Sequence, residues 1–82
     1  MYEMEDLKRM AVFATVVEQG SMSGAARLLA MSTSAVSQQV RQLERDHGVT
    51  LLHRSTRKLS LTAAGEQFYE GCADMVAAAR RA

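Results

Sequence analysis

Residues 20–48 decide the fold, and they read GSMSGAARLLAMSTSAVSQQVRQLERDHG. Two runs of apolar residues at helical spacing, separated by a short turn, are Met22, Ala25, Ala26 and Leu29 and then Val36, Val40 and Leu43. This spacing predicts two amphipathic helices, and the few residues between them leave room only for a tight turn. Ser21 or Ser23 can cap the first of these helices, and Ser32 or Thr33 the second.

The flanking sequence predicts one helix before this stretch and a hairpin and a helix after it. Residues 4–18 carry an inward helical stripe of Leu7, Met10, Ala11, Ala14 and Val17, with Phe13 beside it. After Gly48 the helical period is lost and Leu59-Ser60-Leu61 alternates as a half-buried strand does. We therefore predict a two-stranded hairpin with a basic tip, followed by a helix of about 20 residues that Thr62 caps.

Composition limits what the chain can be. Its 82 residues make one domain, which buries only about 60–65 % of the surface of the unfolded chain, too little for a core and a deep substrate cavity. One Cys and two His cannot form an internal disulfide or a four-ligand zinc site, so no metal or cofactor is expected. Without a membrane span or a signal-peptide pattern, the expected compartment is the cytoplasm.

The positive charge is concentrated in the hairpin. The net charge is only +1, but residues 49–61 contain Arg54, Arg57 and Lys58 and no acid. Three cations at a hairpin tip are typical of contacts with DNA phosphates, with a salt slope of up to about −3. Arg54 can enter a narrow minor groove, while Arg57 and Lys58 bind the backbone.

Two helices joined by a short turn, with a polar outer face on the second, form a helix-turn-helix pattern. The polar residues at the start of the second helix are Thr33, Ser34, Ser37 and Gln38, and Arg41 follows one turn later. We expect Ser34, Ser37 and Gln38 to contact base edges in a major groove, because hydroxyl and amide groups both donate and accept hydrogen bonds. Thr33 and Arg41 are expected at phosphates or bases.

The last helix carries an apolar stripe that a three-helix body does not need. The stripe consists of Phe68, Cys72, Met75, Val76 and Ala79. Another helix is expected to cover it, either from a second copy of the chain or from a domain absent here. Cys72 can also serve as a small apolar packing residue. Gly65 and Gly71 are each expected to weaken the helix by about 1 kcal/mol relative to alanine.

Residues 4–68 resemble the N-terminal DNA-binding domain of LysR-type transcriptional regulators. The resemblance rests on Phe13, Val17, Gly20-Ser21-Met22-Ser23, Ala25-Ala26, Leu28-Leu29, Ser32, Ser34-Ala35-Val36-Ser37-Gln38-Gln39-Val40, Leu43-Glu44, Gly48-Val49, Leu51-Leu52, Arg54-Ser55-Thr56-Arg57, Leu59-Ser60-Leu61-Thr62 and Ala64-Gly65. It implies a mainly α winged helix-turn-helix over residues 1–61 and a linker helix over 62–82. It also implies DNA contacts from Thr33, Ser34, Ser37, Gln38 and the wing residue Arg54.

Further implications concern assembly. In this family the linker helices of two subunits pair antiparallel, which fits the stripe on the last helix, and members often form tetramers. A homodimer on an interrupted palindromic operator is therefore expected. The family's effector-binding domain, which takes the small-molecule effector, is absent from these 82 residues.

The sequence departs from the family pattern at the start of the recognition helix. Many members have Gln-Pro or Gln-Ser in place of Thr33-Ser34 and Arg in place of Gln38. Without that guanidinium the commonest guanine contact is missing, so readout of DNA shape gains weight.

Two other classes of protein are weighed against DNA binding. A winged-helix module for protein interaction and dimerisation predicts no salt-dependent binding to a duplex. An enzyme fragment needs a nucleophile with a base or paired carboxylates in a cleft, and neither His47 nor His53 forms such a group with Cys72 or an acid. The expected class is a non-enzymatic DNA-binding domain.

Overall fold

A computed structural model describes residues 3–54 and 58–82. Its elements in chain order are α1 (Met4–Gln19), α2 (Met22–Leu29), α3 (Thr33–His47), β1 (Leu52–His53), β2 (Ser60–Leu61) and α4 (Ala63–Arg81). The strands pair antiparallel, with Leu52 opposite Leu61 and His53 opposite Ser60. The predicted mainly α winged helix-turn-helix with a long last helix is confirmed.

Serine and threonine side chains cap the N-termini of α2, α3 and α4. Ser21 Oγ accepts a hydrogen bond from the Gly24 amide at 2.9 Å, and Ser32 Oγ accepts from the Ala35 amide at 3.1 Å. Thr62 Oγ1 accepts from the Gly65 amide at 2.9 Å, as predicted. Each bond satisfies one of the amides that the first turn of a helix leaves without a partner.

The turn of the helix-turn-helix is closed by backbone hydrogen bonds. Ala30 adopts a left-handed conformation with φ 55°, and the Met31 amide donates to the Ala26 carbonyl at 2.9 Å. This pattern ends a helix within a residue or two, so the chain turns sharply into α3.

Helix α1 lies at the centre of the core and packs against α2, α3 and α4. Five consecutive residues, 12–16, are buried, which happens when a helix is covered on several sides. Phe13 and Val16 are fully buried, whereas Leu7 is 38 % exposed. The predicted inward stripe is therefore wrong at Leu7, because the first turns of α1 lie beyond the helices that cover its middle.

Helix α3 turns its apolar stripe towards this core, since Val36, Val40 and Leu43 are fully buried as predicted. Helix α4 shares the same core: the Phe68 ring lies 6.0 Å from the Phe13 ring, and Cys72 is fully buried. The two segments predicted as separate units therefore pack around common side chains.

Candidate nucleic-acid interface

The outer face of α3 carries most of the predicted base-contacting residues on the surface. Thr33, Ser34, Gln38 and Arg41 are exposed, and Ser37 is half-buried. Ser34 Oγ lies 3.3 Å from Ser32 Oγ, which places two hydroxyls at the start of the helix. Burial of the opposite face fixes α3 against α1 and α2, so these polar groups project from a rigid support.

A cleft of about 270 Å³ joins the recognition helix to the wing. Its lining includes Ser37 from α3, Arg54 and His53 from the wing, and Ser21 and Met22 from the start of α2. The structure thus brings Ser37 and Arg54 to one groove, although 16 residues separate them in the sequence. The contribution of α2 was not predicted, because periodicity does not show which helix end meets the hairpin.

A second, polar groove of about 420 Å³ runs between α1 and α3. Gln38 and Arg41 line it together with Arg9, a residue that the sequence analysis missed. Arg9 Nη1 lies 3.5 Å from Asp46 Oδ2, and Nη2 lies 3.7 Å from Glu5 Oε2. The pair with Asp46 joins α1 to the C-terminal part of α3, whereas the pair with Glu5 lies within α1.

Of the three predicted wing cations, the structure describes Arg54 and Lys58, one on each arm of the hairpin. Arg54 follows β1 and its Nη1 lies 2.8 Å from Glu44 Oε1, an ion pair that the sequence analysis did not predict. Lys58 is exposed on the returning side of the hairpin. Arg57, predicted to bind the DNA backbone, lies outside the described residues.

The predicted dimer stripe on α4 is divided by the structure. Phe68 and Val76 are half-buried and pack on the chain's own core. Cys72 has no exposed surface, so its assignment changes from dimer contact to core residue. The physical reason is that α4 lies along α1, which covers this part of the stripe. Met75 is half-buried and Ala79 is exposed.

Burial raises the pKa of the Cys72 thiol to about 11. An ordinary thiol has a pKa of 9.0, so the unfolded chain loses this proton above about pH 9, whereas the folded chain keeps it up to about pH 11. Stability is therefore expected to fall as the pH rises from about 9 to about 11. At pH 8 a thiol reagent is expected to react at least about tenfold more slowly with the folded chain than with the chain in urea. Equal rates in both conditions would contradict this burial, and Cys72→Ala should remove the thiol's contribution to the pH dependence.

Within residues 3–54 and 58–82, no cluster of three or more His, Cys, Asp or Glu side chains is arranged to hold a metal ion. In the same residues no helix combines the length and apolar character needed to cross a membrane.

The geometry is that of a helix-turn-helix DNA-binding domain with a wing, and comparisons with known proteins give its family. A family model described as "Bacterial regulatory helix-turn-helix protein, lysR family" matches residues 7–66. The chain therefore belongs to the LysR family of bacterial regulators, and the predicted resemblance is confirmed.

Curated relatives are transcriptional regulators. The HTH-type transcriptional activator AaeR of Escherichia coli K12 is 56 % identical over 73 residues, which are 89 % of this chain and 24 % of AaeR. The HTH-type transcriptional regulator CrgA of Neisseria meningitidis is 53 % identical over 62 residues, 76 % of this chain and 21 % of CrgA. The chain spans about a quarter of the length of these relatives.

Solved structures of similar fold include complexes with DNA. The BenM DNA-binding domain with catB site 1 DNA superposes with a TM-score of 0.86 at 29 % identity, covering 92 % of this chain and 83 % of that one. The CbnR DNA-binding domain with DNA gives a TM-score of 0.82 at 39 % identity, covering 92 % and 86 %.

Proposed function

We propose that this domain binds double-stranded DNA sequence-specifically, with the N-terminal half of α3 in the major groove and Arg54 in an adjacent minor groove. The longer protein to which such a domain belongs regulates transcription in the bacterial cytoplasm, in line with its relatives. No catalytic step and no cofactor is assigned to these 82 residues.

One observation carries the proposal: the polar face of α3 is presented outward while its apolar face is fully buried. Thr33, Ser34 and Gln38 are exposed at the end of the helix that can enter a groove about 12 Å wide. The first-turn amides at that end also favour a phosphate. The similarity to two DNA-bound domains supports the same assignment.

The wing supplies the second contact. Arg54 and Ser37 line one cleft, so DNA that reaches Ser37 in the major groove passes close to the guanidinium. An arginine beside a narrow A·T-rich minor groove experiences an enhanced negative potential. Lys58 and Arg57 are proposed to bind phosphates next to it.

Dimerisation is proposed through the part of α4 that α1 leaves open. Met75 and Ala79 remain from the predicted stripe, with Phe68 and Val76 at its edge. Two antiparallel α4 helices would place two recognition helices on half-sites of an interrupted palindrome, about 34 Å apart along the DNA. Tetramer formation and binding of a small-molecule effector are proposed for the longer protein only.

Two substitutions test whether Gln38 contacts bases while Arg57 contacts only the DNA backbone. Gln38→Ala is expected to weaken binding to a duplex selected by this chain from a random library by about 1–3 kcal/mol, with little effect on a scrambled duplex. Arg57→Ala is expected to weaken both duplexes almost equally and to reduce the salt slope by about 0.9. Fluorescence anisotropy at two salt concentrations measures both effects.

Gln67→Ala on the exposed part of α4 is the matched control for Gln38→Ala and should leave both affinities unchanged. An equal loss of sequence preference in Gln38→Ala and Arg57→Ala would refute these separate roles of the two residues. Absence of salt-dependent duplex binding by the unaltered chain would favour a protein-interaction module instead.

A further inference from the structure

Glu44 lies near the C-terminal end of α3 and connects this helix to the wing. Its Oε2 accepts hydrogen bonds from the amides of Leu51 at 2.7 Å and Leu52 at 3.3 Å. Its Oε1 accepts from Arg54 Nη1 at 2.8 Å. The side chain is only 12 % exposed, so the carboxylate lies within the joint between helix and hairpin and not on the surface.

The two amide bonds hold the base of the wing. Leu51 and Leu52 are buried, with 0 % and 1 % exposure, so their N–H groups lie where water does not replace a lost acceptor. The chain leaves α3 at Gly48, and the Glu44 side chain ties it back to α3 at Leu51. Glu44 therefore fixes where the wing begins relative to the recognition helix.

The third bond fixes the direction of Arg54. A free arginine side chain has many rotamers, and immobilising it on DNA lowers the affinity by about 2- to 12-fold. The Arg54 side chain is 29 % exposed and held at one nitrogen by Glu44, in the cleft that it shares with Ser37. The Arg54 side chain is therefore partly ordered before DNA binds.

We propose that Glu44 is a positioning residue for DNA binding, which acts through Arg54 by holding its guanidinium in the cleft between recognition helix and wing. The inference rests on the proposed minor-groove role of Arg54. Although a carboxylate repels phosphates, this one is largely covered, and hydrogen bonds from two amides and a guanidinium offset its charge. Its net effect is therefore to raise the affinity.

A double-mutant cycle separates this role from general stabilisation of the wing. The four proteins are the unaltered chain, Glu44→Gln, Arg54→Gln and the double variant. Glutamine keeps an oxygen acceptor for the Leu51 amide but loses the charge that holds Arg54. Affinities are measured by anisotropy on an A-tract duplex and a G·C duplex of equal length, at low ionic strength.

With Arg54 present, Glu44→Gln is expected to weaken binding to the A-tract duplex by about 2- to 12-fold, the cost of ordering one side chain. With glutamine at position 54, the same change is expected to alter affinity by no more than about twofold, the usual limit of additivity between uncoupled sites. The G·C duplex should show the smaller coupling, because its minor groove offers a weaker potential.

Glu70→Gln, on the exposed side of α4, controls for the loss of one negative charge. Thermal midpoints verify that all four proteins are folded. If Glu44→Gln unfolds, Glu44→Asp replaces it, because the shorter side chain keeps the charge but withdraws the carboxylate from Arg54, and Glu70→Asp is then the control. An equal loss in both backgrounds, or tighter binding by Glu44→Gln than by the charge control, overturns the positioning role while the role of Arg54 stands. If Arg54→Gln alone leaves affinity for the A-tract duplex unchanged, the proposed wing contact fails and the positioning role fails with it.

Discussion

Gly65→Ala is expected to destabilise the domain by about 3 kcal/mol or more, at the upper end of the cost of overpacking. A Cβ at this position in α4 would overlap the carbonyl oxygen of Leu51 and lie 3.0 Å from its carbonyl carbon. Both are backbone atoms, so no side-chain rotation relieves the clash. A domain of this size has a total stability of about 4–12 kcal/mol, so the loss is a large fraction of it.

Leu51 cannot move away, because it is held on three sides. Its amide donates to Glu44, its carbonyl accepts from the Thr62 amide at 3.0 Å, and its side chain is fully buried. A shift that accommodates the new methyl group therefore breaks either the cap of α4 or the joint between α3 and the wing. We expect the variant to lose DNA affinity in proportion to the unfolded fraction.

Gly71→Ala is the matched control, since both glycines lie in α4 and the substitution is the same. Among residues 3–54 and 58–82, and apart from its chain neighbours and the nearby backbone of α4, no heavy atom lies within 4 Å of a Cβ at position 71. Alanine there is expected to stabilise the domain by about 0.5–1 kcal/mol, because glycine loses more backbone entropy on helix formation. Urea denaturation followed by far-UV circular dichroism measures both variants. Similar stabilities for Gly65→Ala and Gly71→Ala would contradict the close approach of α4 to Leu51.

The two glycines show where sequence analysis stops. Helix propensity treats them alike, and on that basis each is predicted to weaken the last helix equally. Only the three-dimensional approach of α4 to Leu51 distinguishes a required glycine from a tolerated one. The caps Ser21, Ser32 and Thr62 were predictable because a cap acts within three residues of itself.

The same limit applies to the candidate site. The exposed polar face of α3 follows from helical periodicity, because Val36, Val40 and Leu43 fix which side is buried. The bonds of Glu44 to the wing join residues seven to ten positions apart across a change from helix to strand, and no single period describes them. Arg9 was missed for a related reason, because its ion pair with Asp46 joins two different helices.

The stripe on α4 illustrates a different ambiguity. Periodicity groups Phe68, Cys72 and Val76 on one face but does not say whether α1 of the same chain or a partner's helix covers that face. The structure assigns Cys72 to the chain's own core. Burial in the structure therefore shows which residues of the stripe the chain itself covers. The surface proposed for the dimer is reduced to Met75, Ala79 and their neighbours.

Phe13→Ala is expected to destabilise the domain by about 3–5 kcal/mol, the usual cost of removing a buried phenyl ring. The ring has no exposed surface and lies in the middle of α1, which contacts three other helices. It also faces the Phe68 ring at 6.0 Å with an angle of 57° between the planes, a tilted arrangement that adds about 0.5–1.5 kcal/mol. The cavity left by alanine therefore lies where α1 and α4 meet.

Leu28→Ala is the control for the removal of a large apolar side chain. Leu28 is 63 % exposed on α2, so its truncation is expected to change stability by no more than about 0.5 kcal/mol. Both variants are compared by urea denaturation with and without a saturating duplex. Because DNA binds only the folded state, it should restore part of the stability of Phe13→Ala without restoring the lost packing. A loss below about 1 kcal/mol in Phe13→Ala would mean that the ring is not at the centre of the core, and the support of α3 by α1 would then need another explanation.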